Sequence, residues 1–327
     1  MKSTTQSTRR AKKSRKPSSK PNQPPKQQQL VNAPRSPPNR ELISQVCGIT
    51  DPFCPHAVGA KYPDASSVRT LPYTRKLRYV LSTDASGHAN LFINPQYSYY
   101  PYGTNNVYTG NAITSWNHFS SYSTIAGVHG YRIVSAGYIL RHIVSPLNSA
   151  GMVHIRQYGT ENCALLAPLD TTTYNATSAV SVAVRDLKET AVVLQRTSQL
   201  PQTFYLQSTD TQVVGNSTTH GFATSTVAIS GAPANTAILE VEFFINFELI
   251  FDDGSDLAQV ATPPPPSNAV VSMAASRVTS TMVPIVEGGV AAFGKIVVSK
   301  AASALAGYLF GPPGALATRS ALAITVD

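Results

Sequence analysis

Apolar, β-branched and aromatic residues recur along residues 41–260 in runs of strand length, separated by clusters of Gly, Pro, Asn and Ser. The clearest runs are 75–82, 88–94, 131–144, 151–158, 202–208, 222–230 and 236–251. Successive side chains of a strand point to opposite faces, so a two-residue period is the diagnostic pattern. In the last run Leu239, Val241, Phe243 and Ile245 fall on one face, and Ile238, Glu240, Glu242 and Phe244 on the other. One helix is expected over Val180–Gln195, where Arg185, Asp186, Lys188 and Glu189 cluster. Many strands and few helices over 41–260 predict an all-β domain, an eight-stranded antiparallel jelly-roll sandwich. The Tyr-rich stretch from Tyr97 to Tyr108 reads as a long loop, suited either to a partner or to ordinary packing.

The pattern changes after Asp256. Pro263–Pro266 makes residues 261–268 a stiff, extended linker. Residues 269–327 are rich in Ala, Val, Ser and Gly and predict a partly helical C-terminal segment. Over 285–310, Val290, Phe293, Val297, Ala301, Ala304, Leu305 and Tyr308 fall roughly on one helical face. Lys300 intrudes on that face, and Gly288, Gly289 and Gly294 weaken the helix. Such a segment either packs on its parent domain or touches a membrane once released.

Charge divides the chain differently. Residues 1–40 hold eleven of the 26 basic residues and no acid, so the net charge of +9 sits in one arm. The body from 41 to 268 is slightly acidic, and the segment after it slightly basic. The arm has seven prolines and no aromatic residue, and is expected to be disordered. Its density of like charge calls for a polyanion, through Arg9, Arg10, Lys12, Lys13, Arg15, Lys16 and Lys20. Charged residues make up only 13% of the chain, which suits a body covered by neighbours. Three cysteines are too few for a disulfide framework, and the polar N-terminus has no apolar core of a signal peptide. No unbroken run of 18 apolar residues marks a permanent transmembrane helix.

Little points to turnover chemistry. There is no nucleophile elbow, phosphate-binding glycine loop or dinucleotide fingerprint, and the seven histidines lack metal-ligand spacing. Asp252, Asp253 and Asp256 form a tight carboxylate cluster that suits Ca²⁺, or a solvated acidic turn.

The block Arg132-Ile-Val-Ser-Ala-Gly-Tyr-Ile-Leu-Arg-His-Ile-Val-Ser-Pro-Leu-Asn-Ser-Ala-Gly-Met-Val-His (132–154) resembles two successive shell strands in capsid proteins of small non-enveloped RNA viruses, nodavirus-like and tombusvirus-like. Ala57-Val-Gly-Ala-Lys-Tyr-Pro-Asp (57–64) resembles the segment before their first shell strand, and Glu240-Val-Glu-Phe-Phe-Ile-Asn-Phe-Glu (240–248) their closing strand. The resemblance covers about 45–251 and the basic arm in kind. It implies a jelly-roll shell subunit that self-assembles into an icosahedral particle, of T=3 type in the nodavirus-like reading, and packages genomic RNA through the arm. It also implies a virion location, assembly in the host cytoplasm and a host receptor that the sequence does not identify.

No second β domain follows the linker, which favours the nodavirus-like arrangement. In that arrangement the precursor cleaves itself after an Asn and releases a membrane-active peptide. The matching junction is Asn268-Ala269, and the matching catalytic carboxyl is Asp51, by its order between Cys47 and Pro63-Asp64. The membrane-active face would carry Phe293, Val297, Leu305 and Tyr308. Two alternatives remain open: a nucleic-acid-binding β-domain protein that forms no shell, and the capsid of a chimeric single-stranded DNA virus.

Overall fold

The computed structural model describes residues 40–63, 67–94, 98–102, 127–158, 176–196, 205–206, 222–266, 268–281 and 284–310. The basic residues Arg9 to Lys20 and most of the Tyr97–Tyr108 stretch lie outside them.

Two antiparallel sheets form the body. The first has the strand order β1 (Leu71–Ser82), β10 (Ala237–Phe251), β4 (Val128–His142), β7 (Thr190–Val193) and β11 (Ile285–Glu287), with β8 (Tyr205–Leu206) also pairing with β4. The second has the order β3 (Ser98–Tyr102), β2 (Ala89–Asn94), β9 (Thr224–Ser230), β5 (Met152–Tyr158) and β6 (Ala176–Ala183). The short strands β3, β8 and β11 add to the expected eight. β3 occupies part of the stretch read as a Tyr-rich loop, and β11 comes from the C-terminal segment read as strand-free.

The two-residue period decides which faces meet. Leu239, Val241, Phe243, Ile245, Phe247 and Leu249 of β10 are buried against Leu91 and Ile93 of β2, Val153 and Ile155 of β5, and Val227 and Ile229 of β9. This is the core between the sheets. Tyr138 lies in it and shares a 2.6 Å hydrogen bond with Ser225 of the facing sheet. The outer face of the first sheet carries a third layer, made of α1 (Arg40–Thr50), α3 (Ala269–Thr281) and α4 (Gly289–Phe310). β7 shows the division within four residues: Val192 points into the inter-sheet core, whereas Ala191 and Val193 pack against the helices.

The helix expected over Val180–Gln195 does not form. β6 ends at Ala183, a single 3₁₀ turn spans Val184–Asp186, and β7 begins at Thr190. The charged cluster sits in the connection, with Arg185 and Asp186 paired and exposed, while Val180, Val182, Val192 and Val193 favour strand. α1 is a helix that the pattern does not predict, and α3 falls in the partly helical C-terminal segment but ahead of the stretch 285–310 that carries the predicted helical face. α1 ends at Asp51-Pro52, because a proline disfavours helical backbone in the residue before it. Close approach secures the layer on the sheet. A Cβ at Gly137 of β4 would lie 2.6 Å from the Val192 carbonyl and 2.8 Å from Pro52 Cγ.

Candidate functional site

Asp51 follows α1 and is almost wholly buried. Its backbone N–H donates to the Cys47 carbonyl at 2.8 Å, and its Oδ1 accepts from the Phe53 N–H at 2.9 Å. α4 lies against the carboxyl, where a Cβ at Gly294 would come within 3.9 Å of Oδ2. Loss of hydration pushes the Asp51 carboxyl up to about 6, opposed by the backbone N–H bonds it accepts. A group in that range exchanges protons near neutral pH.

Two thiols flank it. Cys47 is buried in the helical layer, and Cys54 is partly exposed. Their mutual hydrogen bond pulls Cys54 down to about 7 and raises Cys47, which burial raises further. Cys54 Sγ also accepts from the His56 N–H at 3.3 Å.

Asn268 is the N-cap of α3. Its Oδ1 accepts from the N–H groups of Val270 at 3.0 Å and Val271 at 3.3 Å. Its main-chain carbonyl accepts from the Ser272 N–H at 3.0 Å. The Asn268–Ala269 peptide therefore sits at the positive end of a helix, with the side-chain oxygen fixed by two N–H groups and the side-chain nitrogen bonded to none of the described residues. Ala269 is exposed. No hydrogen bond joins Asp51 to Asn268; each is bonded within its own segment.

Phe293, Val297 and Leu305 are fully buried against α1 and α3. The ring of Phe53 bridges from the sheet to this helix, edge-on to Phe244 at 5.2 Å and to Phe293 at 5.7 Å between centroids. Tyr308 belongs to the last turns of the same helix. Residues Gly289–Gly307 are long and apolar enough to cross a membrane by length and composition, with a mean hydropathy of 1.4. Lys295 and Lys300 interrupt the apolar run without lowering its average enough to exclude it. Half of that stretch is buried in the fold. The apolar face thus packs on the parent domain in this state.

Asp252, Asp253 and Asp256 are exposed and do not converge. Asp252 Oδ1 lies 3.2 Å from His129 Nδ1, and Asp256 begins the short helix α2 (Asp256–Val260), capped by Ser255. Among the described residues no three His, Cys, Asp or Glu side chains form a group that could hold a metal ion. The three carboxylates of one chain do not fit Ca²⁺ by themselves.

One constellation escaped sequence reasoning. Arg132 and Glu248 form a buried ion pair, with Thr70 Oγ1 donating to the other Glu248 oxygen at 3.2 Å. Lys61 Nζ donates to the carbonyls of Thr70 and Thr262, both at 2.6 Å. Arg196 lies over the Tyr62 ring at 4.6 Å and over the Phe222 ring at 5.3 Å, and donates to the Val134 carbonyl. Charges at polar-face positions of strands are the available signal, but these residues are spread over the whole body.

No protein-family model matches the chain, and comparison with characterised protein sequences returned no match. Solved structures do match. The infectious bursal disease virus Gt strain structure aligns with a TM-score of 0.51 at 11% identity, over 74% of this chain and 96% of that one. Infectious bursal disease virus-derived T=1 particles align with a TM-score of 0.51 at 10% identity, over 83% and 97%. A tobacco necrosis virus chain aligns at 0.33 and 14% identity, over 55% and 96%. The solved structures that this chain resembles are viral capsid proteins, and its two facing sheets have the jelly-roll fold of those shells.

Proposed function

We propose that this chain is the shell subunit of an icosahedral virus particle. The observation that carries the reading is the fold. The chain aligns over 83% of its length with a structure of virus-derived T=1 particles. The role is structural, in the virion, and the partner is other copies of the chain. Arg9, Arg10, Lys12, Lys13, Arg15, Lys16 and Lys20 hold the genome by phosphate neutralisation, which needs no sequence readout.

The finer steps build on the same reading. Cleavage at Asn268–Ala269 is a single intramolecular event. The Asn268 side-chain nitrogen attacks its own main-chain carbonyl, the bond to Ala269 breaks, and a cyclic imide and a new amine result. The Ser272 N–H, which donates the first helical hydrogen bond of α3 to that carbonyl, would stabilise its oxygen as charge develops. A neutral Asp51 carboxyl could protonate the leaving amine, and the reading requires that assembly bring a carboxyl to Asn268. Release would free α4 to expose Phe293, Val297 and Leu305 to a membrane. Calcium held through Asp252, Asp253 or Asp256 would need ligands from a second copy.

The test is to express the full chain, image it by negative stain, and digest the contents with nuclease. Closed particles with protected nucleic acid are expected, followed by a mass loss equal to residues 269–327. A small species that never assembles would overturn the capsid reading; assembled particles of unchanged mass would overturn only the cleavage.

A further inference from the structure

We propose that Cys47 and Cys54 form a redox-active dithiol, which closes to an intrachain disulfide by exchange with small-molecule disulfides of the glutathione class. Neither sulfur takes part in the chemistry of Asp51 and Asn268.

The backbone brings the two together. Cys47 lies in the second half of α1, and Pro52 ends that helix soon after it. The chain then folds back through two successive turns. The Asp51 N–H donates to the Cys47 carbonyl at 2.8 Å, and the Cys54 N–H to the Asp51 carbonyl at 3.3 Å. Cys54 thereby packs against the same apolar cluster of the helical layer that encloses Cys47, and the two thiols hydrogen-bond to each other. Both are free cysteines. A disulfide makes strict geometric demands, and sulfurs already in contact need little backbone movement to meet them.

The two sulfurs differ in the way that exchange requires. Cys54 is partly exposed, whereas Cys47 is sealed inside the layer, so Cys54 is the one that meets an oxidant from solution. Cys54 Sγ accepts the Cys47 S–H, and it accepts the His56 N–H at 3.3 Å. Two donors favour the thiolate, which is the attacking form. Cys54 is held at about 7, near the optimum for an attacking thiol in neutral solution. Cys47 keeps its proton and stands behind Cys54 as the resolving thiol.

Metal binding is the competing use of paired thiols. Zinc takes three or four protein ligands, and among the described residues no three His, Cys, Asp or Glu side chains form a group that could hold a metal ion. Dithiol chemistry is what two sulfurs alone can carry.

The exchange has two steps. The Cys54 thiolate attacks one sulfur of oxidised glutathione, the S–S bond breaks, and one glutathione thiolate leaves and takes up the proton that Cys54 gave to solvent. Cys47 then attacks the Cys54 sulfur of the mixed disulfide, and its proton passes to the second departing glutathione. One disulfide is consumed, one is formed, and two reduced glutathiones are released. The new bond would tie α1 to the turn that carries Asp51 and Phe53, and Phe53 is the ring against which Phe293 of α4 rests. On the shell-subunit reading, on which this consequence alone rests, the pair is open in the reducing cell and closes outside it, bracing the helical layer. The exchange itself lies within one chain, so its failure would leave the capsid reading untouched.

The full chain, incubated at fixed ratios of reduced to oxidised glutathione, quenched with acid, alkylated and digested, gives the answer as a peptide map by mass. A Cys47–Cys54 linked peptide is expected, rising with the oxidised fraction and lost again in reduced glutathione. Cys47→Ser should stop at Cys54 carrying one glutathione. Cys54→Ser should leave Cys47 a free thiol, and Cys163→Ser should form the link as the parent does. Should a serine variant fail to fold, the map of the parent chain still decides. A parent Cys54 that stays unmodified, carries glutathione at every ratio, joins Cys163 instead, or links to Cys47 only in urea would overturn the inference.

Discussion

Arg132 and Glu248 stand directly opposite each other on β4 and β10, and their ion pair is sealed on both sides, by the strands beneath and the N-terminal segment above. Arg132 also donates to the Tyr62 carbonyl at 3.0 Å, so the pair ties the segment before β1 to the centre of the sheet. Breaking a buried pair from one side leaves a stranded charge, at a cost of about 3–5 kcal/mol. Glu248→Gln should lower the urea midpoint accordingly. A double change, Arg132→Met with Glu248→Leu, should restore much of the loss; equal destabilisation by both would show that the hydrogen bonds to Tyr62 and Thr70 matter more than the charge.

Asp51 gives a pH signature of opposite sign to that of an ordinary paired carboxylate. Its pKa is raised from 3.8 to about 6, so the folded chain binds this proton more tightly than the unfolded chain. Stability from this group is fully present below about pH 4 and is lost as pH rises through 6, on the order of 3 kcal/mol in total. Asp51→Asn should be more stable than the parent at pH 7.5 and equal to it at pH 4, by urea unfolding at both. The same substitution should block release of residues 269–327, trading function for stability.

Phe293 is the keystone of the helical layer, through Phe53 to Phe244. Phe293→Ala should cost about 3–5 kcal/mol. Limited proteolysis should then cut within 269–310 before it touches the β body. Simultaneous loss of both would show that the layer and the sandwich unfold as one unit.

Cys54 should alkylate with a rate that rises through about pH 7, mapped by mass against Cys47 and Cys163. Cys47→Ser keeps a donor and should shift that midpoint little, whereas Cys47→Ala should move it up. Insensitivity to both would mean that the His56 N–H, not Cys47, sets Cys54 reactivity.

Legibility followed the range of the interactions. Leu239, Val241, Phe243 and Ile245 announce β10, because a half-buried strand writes its environment in a local two-residue period. Val180–Gln195 misleads because charges at a turn imitate a helical surface. α3 falls within the segment read as partly helical, but its bounds are not legible because Val270, Val271, Val278 and Thr279 are β-branched, and its helix is imposed by packing against α1 and α4. Asp51 and Asn268 are singled out by resemblance to a family pattern, and burial of the first depends on α4 at the far end of the chain. The cluster of Lys61, Arg132, Arg196 and Glu248 could not be assembled from spacing at all, since the β4–β10 register pairs Arg132 with Glu248 while Lys61 and Arg196 arrive from the segments before β1 and after β7.

β11 is the piece of the C-terminal segment that belongs to the sheet rather than to the helices. Ile285, Val286 and Glu287 pair with Val192, Ala191 and Thr190 and close the outer edge of β7. The Val193 N–H reaches beyond them, to the Pro284 carbonyl at 2.8 Å. An open strand edge is an invitation to pair with another chain. Removing residues 269–327 would therefore do more than free an apolar helix: it would turn the guarded flank of β7 into an adhesive one.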